Sequence, residues 1–142
     1  MTMDYETEKC VLILDADMPA GLLANTAAIL GITLGRQLPE AVGGDVTDGS
    51  GQTHLGIIAF PVPVLRGTAE SLQSLRQRLG QPEFRDLTVA DFSQLAQSCR
   101  TYGEFQEKMA RTAGEDLRYL GLAICGDKRK VSRLTGSLPL LR

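Results

Sequence analysis

Few side chains in this chain are of a type and position to hold or move a proton. Asp15 and Asp17 close the apolar run Val11-Leu12-Ile13-Leu14, which places two carboxylates where a buried strand would end, the position at which open α/β sheets hold ligands. Asp91 closes a later apolar stretch, where a carboxylate serves as a base or hydrogen-bond acceptor and equally as a turn or cap residue. His54 is the single histidine. That excludes multi-histidine metal sites and leaves one general base beside a glycine-rich stretch. Ser50, in Gly49-Ser50-Gly51, lacks the G-x-S-x-G elbow and reads as a turn. Asp15, Asp17, Asp45 and Asp48 have no calcium-loop spacing, and no P-loop or G-x-G-x-x-G occurs, so neither a metal nor a nucleotide cofactor is assigned. Cys10, Cys99 and Cys125 are odd in number, widely spaced and without a CxxC pair. This argues against a disulfide framework or a zinc site and predicts a cytoplasmic protein. The net charge of −2 offers a polyanion no general attraction. From Asp127 to Arg142, however, five basic residues, Lys128 first among them, face one acid. They read as a solvated helix face or as a phosphate-binding patch, on which any RNA partner depends.

The scaffold for these groups is one domain, residues 1–142, whose 43% apolar content suffices to bury a core without staples. The acidic start, Met1 to Glu8, has no apolar signal region, and no stretch is long enough to span a bilayer, so membrane contact is not expected. Lys9–Asp15 reads as a central buried strand. A helix over about 20–36 is apolar around most of its circumference, which predicts burial on more than one side, with Gly21, Gly31 and Gly35 blurring its ends. The glycine-rich segment 37–54 is long for a loop, and Asp48-Gly49 predicts a small hairpin in it. A second strand is predicted at 55–60, with Pro61 and Pro63 sending the next residues along an edge or off the sheet. Leu72, Leu75 and Leu79 mark a helix over 68–79, stopped by Gly80. A third strand at 85–91 leads to a turn or short helix at 93–98. Thr101 with Glu104 forms a capping box for a helix burying Tyr102, Phe105 and Met109, and Thr112 with Glu115 repeats the signature. A fourth strand, 119–125, and a last helix, 128–135, closed by Gly136, complete the chain. This order predicts a three-layer α/β/α sandwich on a mixed, mostly parallel sheet of four or five strands.

Two segments resemble the type II peptidyl-tRNA hydrolase family. Val11 through Ala24, with Asp17 and Gly21 kept, is similar to that family's first strand, its Asp and Gly, and the start of its first helix. Leu120 to Ile124, then Val131 through Leu134-Thr135-Gly136-Ser137-Leu138-Pro139-Leu140-Leu141, is similar to its last strand and its terminal helix ending in T-G-x-L-x-L. Nearly the whole chain resembles a family of small bacterial proteins of unknown function assigned to the same fold. Gly21-Leu22-Leu23-Ala24-Asn25, Leu38-Pro39-Glu40, Asp48 with Gly51, His54-Leu55-Gly56, Pro61-Val62-Pro63-Val64-Leu65 and Leu134 to Arg142 carry that likeness. It implies the hydrolase-like fold and supplies no activity.

The hydrolases' first helix begins G-K-x-A-A-Q-x-x-H, and the lysine is regarded as catalytic. Aligned on Gly21, this chain has Leu22 at the lysine, Asn25 at the second alanine, Thr26 at the glutamine and Ile29 at the histidine. At about 100° per residue, Asn25, Thr26, Thr33 and Arg36 share a quadrant with Leu22 and Ile29 among them. The helix is then buried on all sides, packed in a dimer, or part of a pocket wall remodelled for an apolar ligand. The hydrolases' D-A-G-x-T is matched by Asp91 alone, with Phe92, Ser93 and Leu95 in the other places. Three readings compete. One is a small-ligand-binding or regulatory module, its ligand held by Asp15, Asp17, Gly21, Leu22, Asn25, Thr26 and Lys128 near strand carboxyl ends. The second is a hydrolase of an acyl ester or amide, with Asp91 catalytic and Lys128 and Lys130 on phosphates. The third is a homodimer through the first helix.

Overall fold

A computed structural model describes residues 4–142. Met1–Met3, the start of the acidic stretch, lie outside the described residues. β1 (Glu8–Asp15) is central and buried from Cys10 onward because both of its faces are covered. Val11 and Ile13 enter one apolar core, while Cys10, Leu12 and Leu14 enter the other. β4 (Val64–Gly67) lies parallel to β1 on one side. On the other side β6 (Tyr119–Asp127) is antiparallel, and β5 (Thr88–Ser93) pairs antiparallel with β6. The sheet order is β4-β1-β6-β5.

Although β1, β4 and β5 share a direction, the β1–β4 pair alone is parallel among these neighbours, which corrects the expectation of a mostly parallel sheet. The cause is the connection from β5 to β6. It passes through α3 (Gln94–Ser98) and α4 (Tyr102–Ala110) and re-enters at the same end of the sheet, where the Gln94 amide donates to the Arg118 carbonyl at 2.9 Å. A parallel neighbour would need a crossover to the opposite end.

α1 (Ala20–Gln37) covers one face, and α2 (Ala69–Arg78) and α5 (Lys128–Thr135) cover the other, giving three layers. Contrary to burial on several sides, α1 buries one stripe, Thr26, Leu30 and Leu34, at i, i+4 and i+8. Its remaining apolar breadth consists largely of alanines and glycines, which water tolerates, although Ile32 is 74% exposed. α4 differs in the same sense: Tyr102 is exposed and stacks edge-on with Phe105, while Phe105 and Met109 are half-buried. Thr101 caps α4 by accepting from the Glu104 amide, but the Glu104 carboxylate reaches the Arg100 amide rather than Thr101. Thr112 starts no helix. Its hydroxyl donates to the Lys108 carbonyl, and a single 3-10 turn, Gly114–Asp116, follows.

The hairpin at Asp48-Gly49 forms from β2 (Val46–Thr47) and β3 (Thr53–His54), with Gly51 at φ 86° in its turn. The strand predicted at 55–60 does not join the sheet. That segment returns along the hairpin, bridging Val42 through Ile58, and the prolines at 61 and 63 delay sheet pairing until Val64. Cys10 and Cys125 are register partners on β1 and β6, 4.1 Å apart at Cα, and are joined in a disulfide. This overturns the argument from cysteine spacing, because 115 residues of separation vanish when two central strands pair. Among the described residues no helix is long and apolar enough to cross a membrane.

Candidate functional site

β1 and β4 end side by side, with Asp15 opposite Gly67, and the Ala16 amide donates to the Gly67 carbonyl at 3.1 Å. From there β1 passes to α1 and β4 to α2, so the two chains part above the sheet and leave a cleft of about 370 Å³. Asp15, Asp17, Arg66, Thr68, Glu70 and Arg118 line it. Gly67 makes the tight entry into α2 feasible, since a Cβ there would lie 2.9 Å from the Ile13 Cγ2. Thr68 and Ser71 cap α2 reciprocally at 2.8 and 3.0 Å. The first-turn amides of Ala69 and Glu70 have no acceptor within the helix and bring partial positive charge to the cleft.

The floor of the cleft is Asp15, only 2% exposed. Its Oδ1 accepts from the Asp17 amide at 3.0 Å, while its Oδ2 is 3.7 Å from Nη2 of Arg118. The Arg118 side chain is 54% exposed, so the buried carboxylate meets its countercharge at long range and from the solvent side. Arg118 stands just before the buried strand Tyr119–Asp127, a placement informative only once β6 is known to run antiparallel to β1. Arg66 precedes the predicted second helix and Thr68 and Glu70 begin it, without any motif to single them out.

The other predicted residues scatter. Gly21 is exposed in the first turn of α1, and Leu22 is half-buried against the core beneath that helix. Asn25 donates from Nδ2 to Oε1 of Gln97 at 3.5 Å. Thr26 does not share a surface with Asn25: it is fully buried, and its hydroxyl has no hydrogen-bond partner among the described residues. Ile29 and Thr33 line a separate cleft of about 470 Å³ with Ser93, Cys99 and Tyr102. The Asp91 carboxylate accepts from Nε of Arg76 on α2 at 3.2 Å. Burial, with the Asp91 charge adding to it, pushes the neighbouring Tyr119 hydroxyl above its ordinary value.

Lys128 does not gather with Asp15. β6 is antiparallel, so Asp127 pairs with Glu8 and Lys128 lies at the amino-terminal end of β1, 5.7 Å from the ring centre of Tyr5. The basic helix is also occupied: Lys130 donates to the Glu83 carbonyl and to Asp86, both at 2.8 Å, and Arg133 pairs with Glu83. Two of its four cations are thus spent on local acids. His54 is 2.8 Å through Nε2 from Oδ2 of Asp48, whose other oxygen accepts from the Ser50 and Gln52 amides. The His54 bond first, then those amides, hold the Asp48 carboxyl below its ordinary value. Among the described residues no three His, Cys, Asp or Glu side chains gather as a metal site.

Residues 8–142 match the family model described as "Protein of unknown function (DUF2000)". A solved protein of unknown function from Agrobacterium tumefaciens is 21% identical, superposes with a TM-score of 0.84, and is covered over 97% of its length by 94% of this chain. At that identity the likeness is one of fold. Comparison with curated proteins gives no match.

Proposed function

The chain belongs to this family of unknown function, and on that premise we propose that it is a binding module for a small amphoteric ligand held over Asp15. The observation that carries the reading is the Asp15 carboxylate, buried at the end of two parallel strands, whose Oδ2 opens to the cleft and, among the described residues, accepts no hydrogen bond and has only Arg118 at 3.7 Å. Buried charges are ordinarily paired and fully bonded, so a ligand cation or N–H donor is the natural complement to Oδ2. Arg66, Arg118 and the α2 amino terminus favour an anionic group on the same molecule. Compounds of the amino-acid type meet both demands. We also infer a type II peptidyl-tRNA hydrolase-like scaffold, supported by the sequence likeness at both ends of the chain. A hydrolase built on Asp91 with Lys128 has less support. Asp91 is level with Leu122 on β6, and the five strand residues from there put Asp127, which immediately precedes Lys128, about 17 Å away.

Thermal-shift screening with amino-acid-like metabolites tests the reading, followed by calorimetric titration of each hit. Arg118 is exposed, so Arg118→Ala keeps the fold. It should weaken a genuine ligand at least tenfold, and Asp15→Asn should do the same. Hits with unchanged Kd in Arg118→Ala, or no stabilising compound at all, would defeat the proposal. A second reading, a homodimer through α1, has less support: it rests on Ile32, the one large apolar side chain of α1 that faces water among the described residues, and single residues of that kind are common on monomer surfaces. Ile32→Asp should then turn a dimer into a monomer by light scattering, and a monomeric wild type at micromolar concentration rejects it.

A further inference from the structure

A second cavity, of about 280 Å³, lies away from the Asp15 cleft, between β1, the carboxyl-terminal half of α1 and the chain that follows Leu38. Leu12, Leu34, Leu38, Val42, Ile58 and Val62 line it, and every other lining residue is also apolar. Two of the remainder, Gly31 and Gly35, are four apart on one helix face. Helix glycines usually mark a close approach of another chain, since each destabilises the helix relative to alanine. Here a methyl on either would meet no atom within 4 Å. Close packing therefore explains neither glycine; Gly31 is exposed and Gly35 half-buried, and both leave the α1 wall of the cavity low and open. The facing wall is held in place. The Gly43 amide donates to the Ile57 carbonyl at 2.8 Å and Ala59 to the Ala41 carbonyl at 2.9 Å, while Gly56 passes too close to the Gly43 backbone to admit a Cβ.

An apolar cavity of about 150 Å³ already stays dry and takes up benzene, and ligand sites begin near 300 Å³. We propose that this cavity binds an alkyl chain, such as a medium-length acyl or alkyl tail, with its polar head left in solvent. Gly31 to Leu38 spans about 10 Å along the helix, an elongated trough suited to an extended chain. The lining is aliphatic and offers no charge, no hydrogen-bonding side chain and no ring for an aromatic ligand to stack on.

Methyl-resolved NMR titration with primary alcohols from butanol to decanol tests this. Shifts should centre on Leu12, Leu34, Ile58 and Val62, and Kd should fall roughly fourfold per added methylene until the cavity is full, then level off. Gly35→Leu fills the cavity from α1 and Val62→Phe from the opposite wall. Each should weaken decanol binding at least tenfold without lowering Tm, while Gly35→Ala should raise Tm. Binding that is absent for every alcohol, that strengthens without levelling, or that survives both filling variants overturns the proposal. Should one filling variant fail to fold, the other, with the chain-length series on the wild type, decides. The outcome is independent of Arg118→Ala, because the two sites share no residue.

Discussion

Gly121 shows how one missing side chain sets the position of a helix. A methyl there would lie 2.8 Å from Leu14 Cδ2 and Thr26 Cγ2 and 3.0 Å from Leu30 Cδ1. The α1 stripe thus rests on bare backbone of β6, and none of its three contacts can retreat, because all are buried. Gly121→Ala should cost about 1–3 kcal/mol of stability by urea unfolding, the usual penalty for overpacking. A change below about 0.5 kcal/mol, typical of surface substitutions, would mean that α1 is free to shift. In the sequence Gly121 is legible as part of an apolar strand, while its reason is not, since the atoms it accommodates come from residues about 90 to 110 positions earlier. Asp15 behaves likewise. Its place at a strand end follows from the apolar run before it, but Arg118 becomes its neighbour only through the direction of β6.

At the scale of elements, the hairpin of β2 and β3 is organised by the Asp48 carboxylate, which serves two amides and His54. Asp48, Asp86 and Glu104 are each held below their ordinary values of 3.8, 3.8 and 4.5, chiefly by His54, Lys130 and Lys108 respectively. A carboxyl whose folded pKa is depressed adds stability above its unfolded pKa and loses it as pH falls through the folded one. The three contributions are therefore complete near neutrality and disappear below about pH 4, and salt should screen them. The hairpin should show it first. After correction for intrinsic rates, amide exchange at Ser50 and Gln52 should be faster at pH 3 than at pH 6, and Asp48→Ala should reproduce that at pH 6. Equal protection at both pH values would separate the hairpin from this carboxylate. The Asp48-Gly49 turn was readable because turn chemistry is local. A strand at 55–60 is predicted too, and the segment does alternate in the structure, with Ile58 and Phe60 turned inward and Leu55 and Ile57 outward. Periodicity assigns faces to a strand but not a partner, and here the partner is the segment around Val42 rather than the sheet.

For the whole molecule, the exposed edges of the sheet decide solubility, and β4 is an edge strand only four residues long. Its outer side is covered by the segment Pro139–Leu141. The Arg66 amide donates to the Pro139 carbonyl at 2.8 Å, the Leu141 amide donates to the Val64 carbonyl at 2.9 Å, and Leu141 packs against the core beneath α1. The segment 139–141 thus closes that edge with its backbone. Deleting 139–142 removes both bonds and uncovers backbone that another chain can pair with. A net loss of about 1–3 kcal/mol is expected from the hydrogen bonds, read as a fall of several degrees in Tm, together with concentration-dependent light scattering absent from the full chain. The same strand carries Arg66 and Gly67 to the Asp15 cleft. Loosening its edge should therefore weaken ligands of that cleft while leaving alkyl binding under α1 intact, since none of that cavity's lining comes from β4. A truncated chain that melts unchanged and stays monodisperse would show that β4 holds its place through β1 alone.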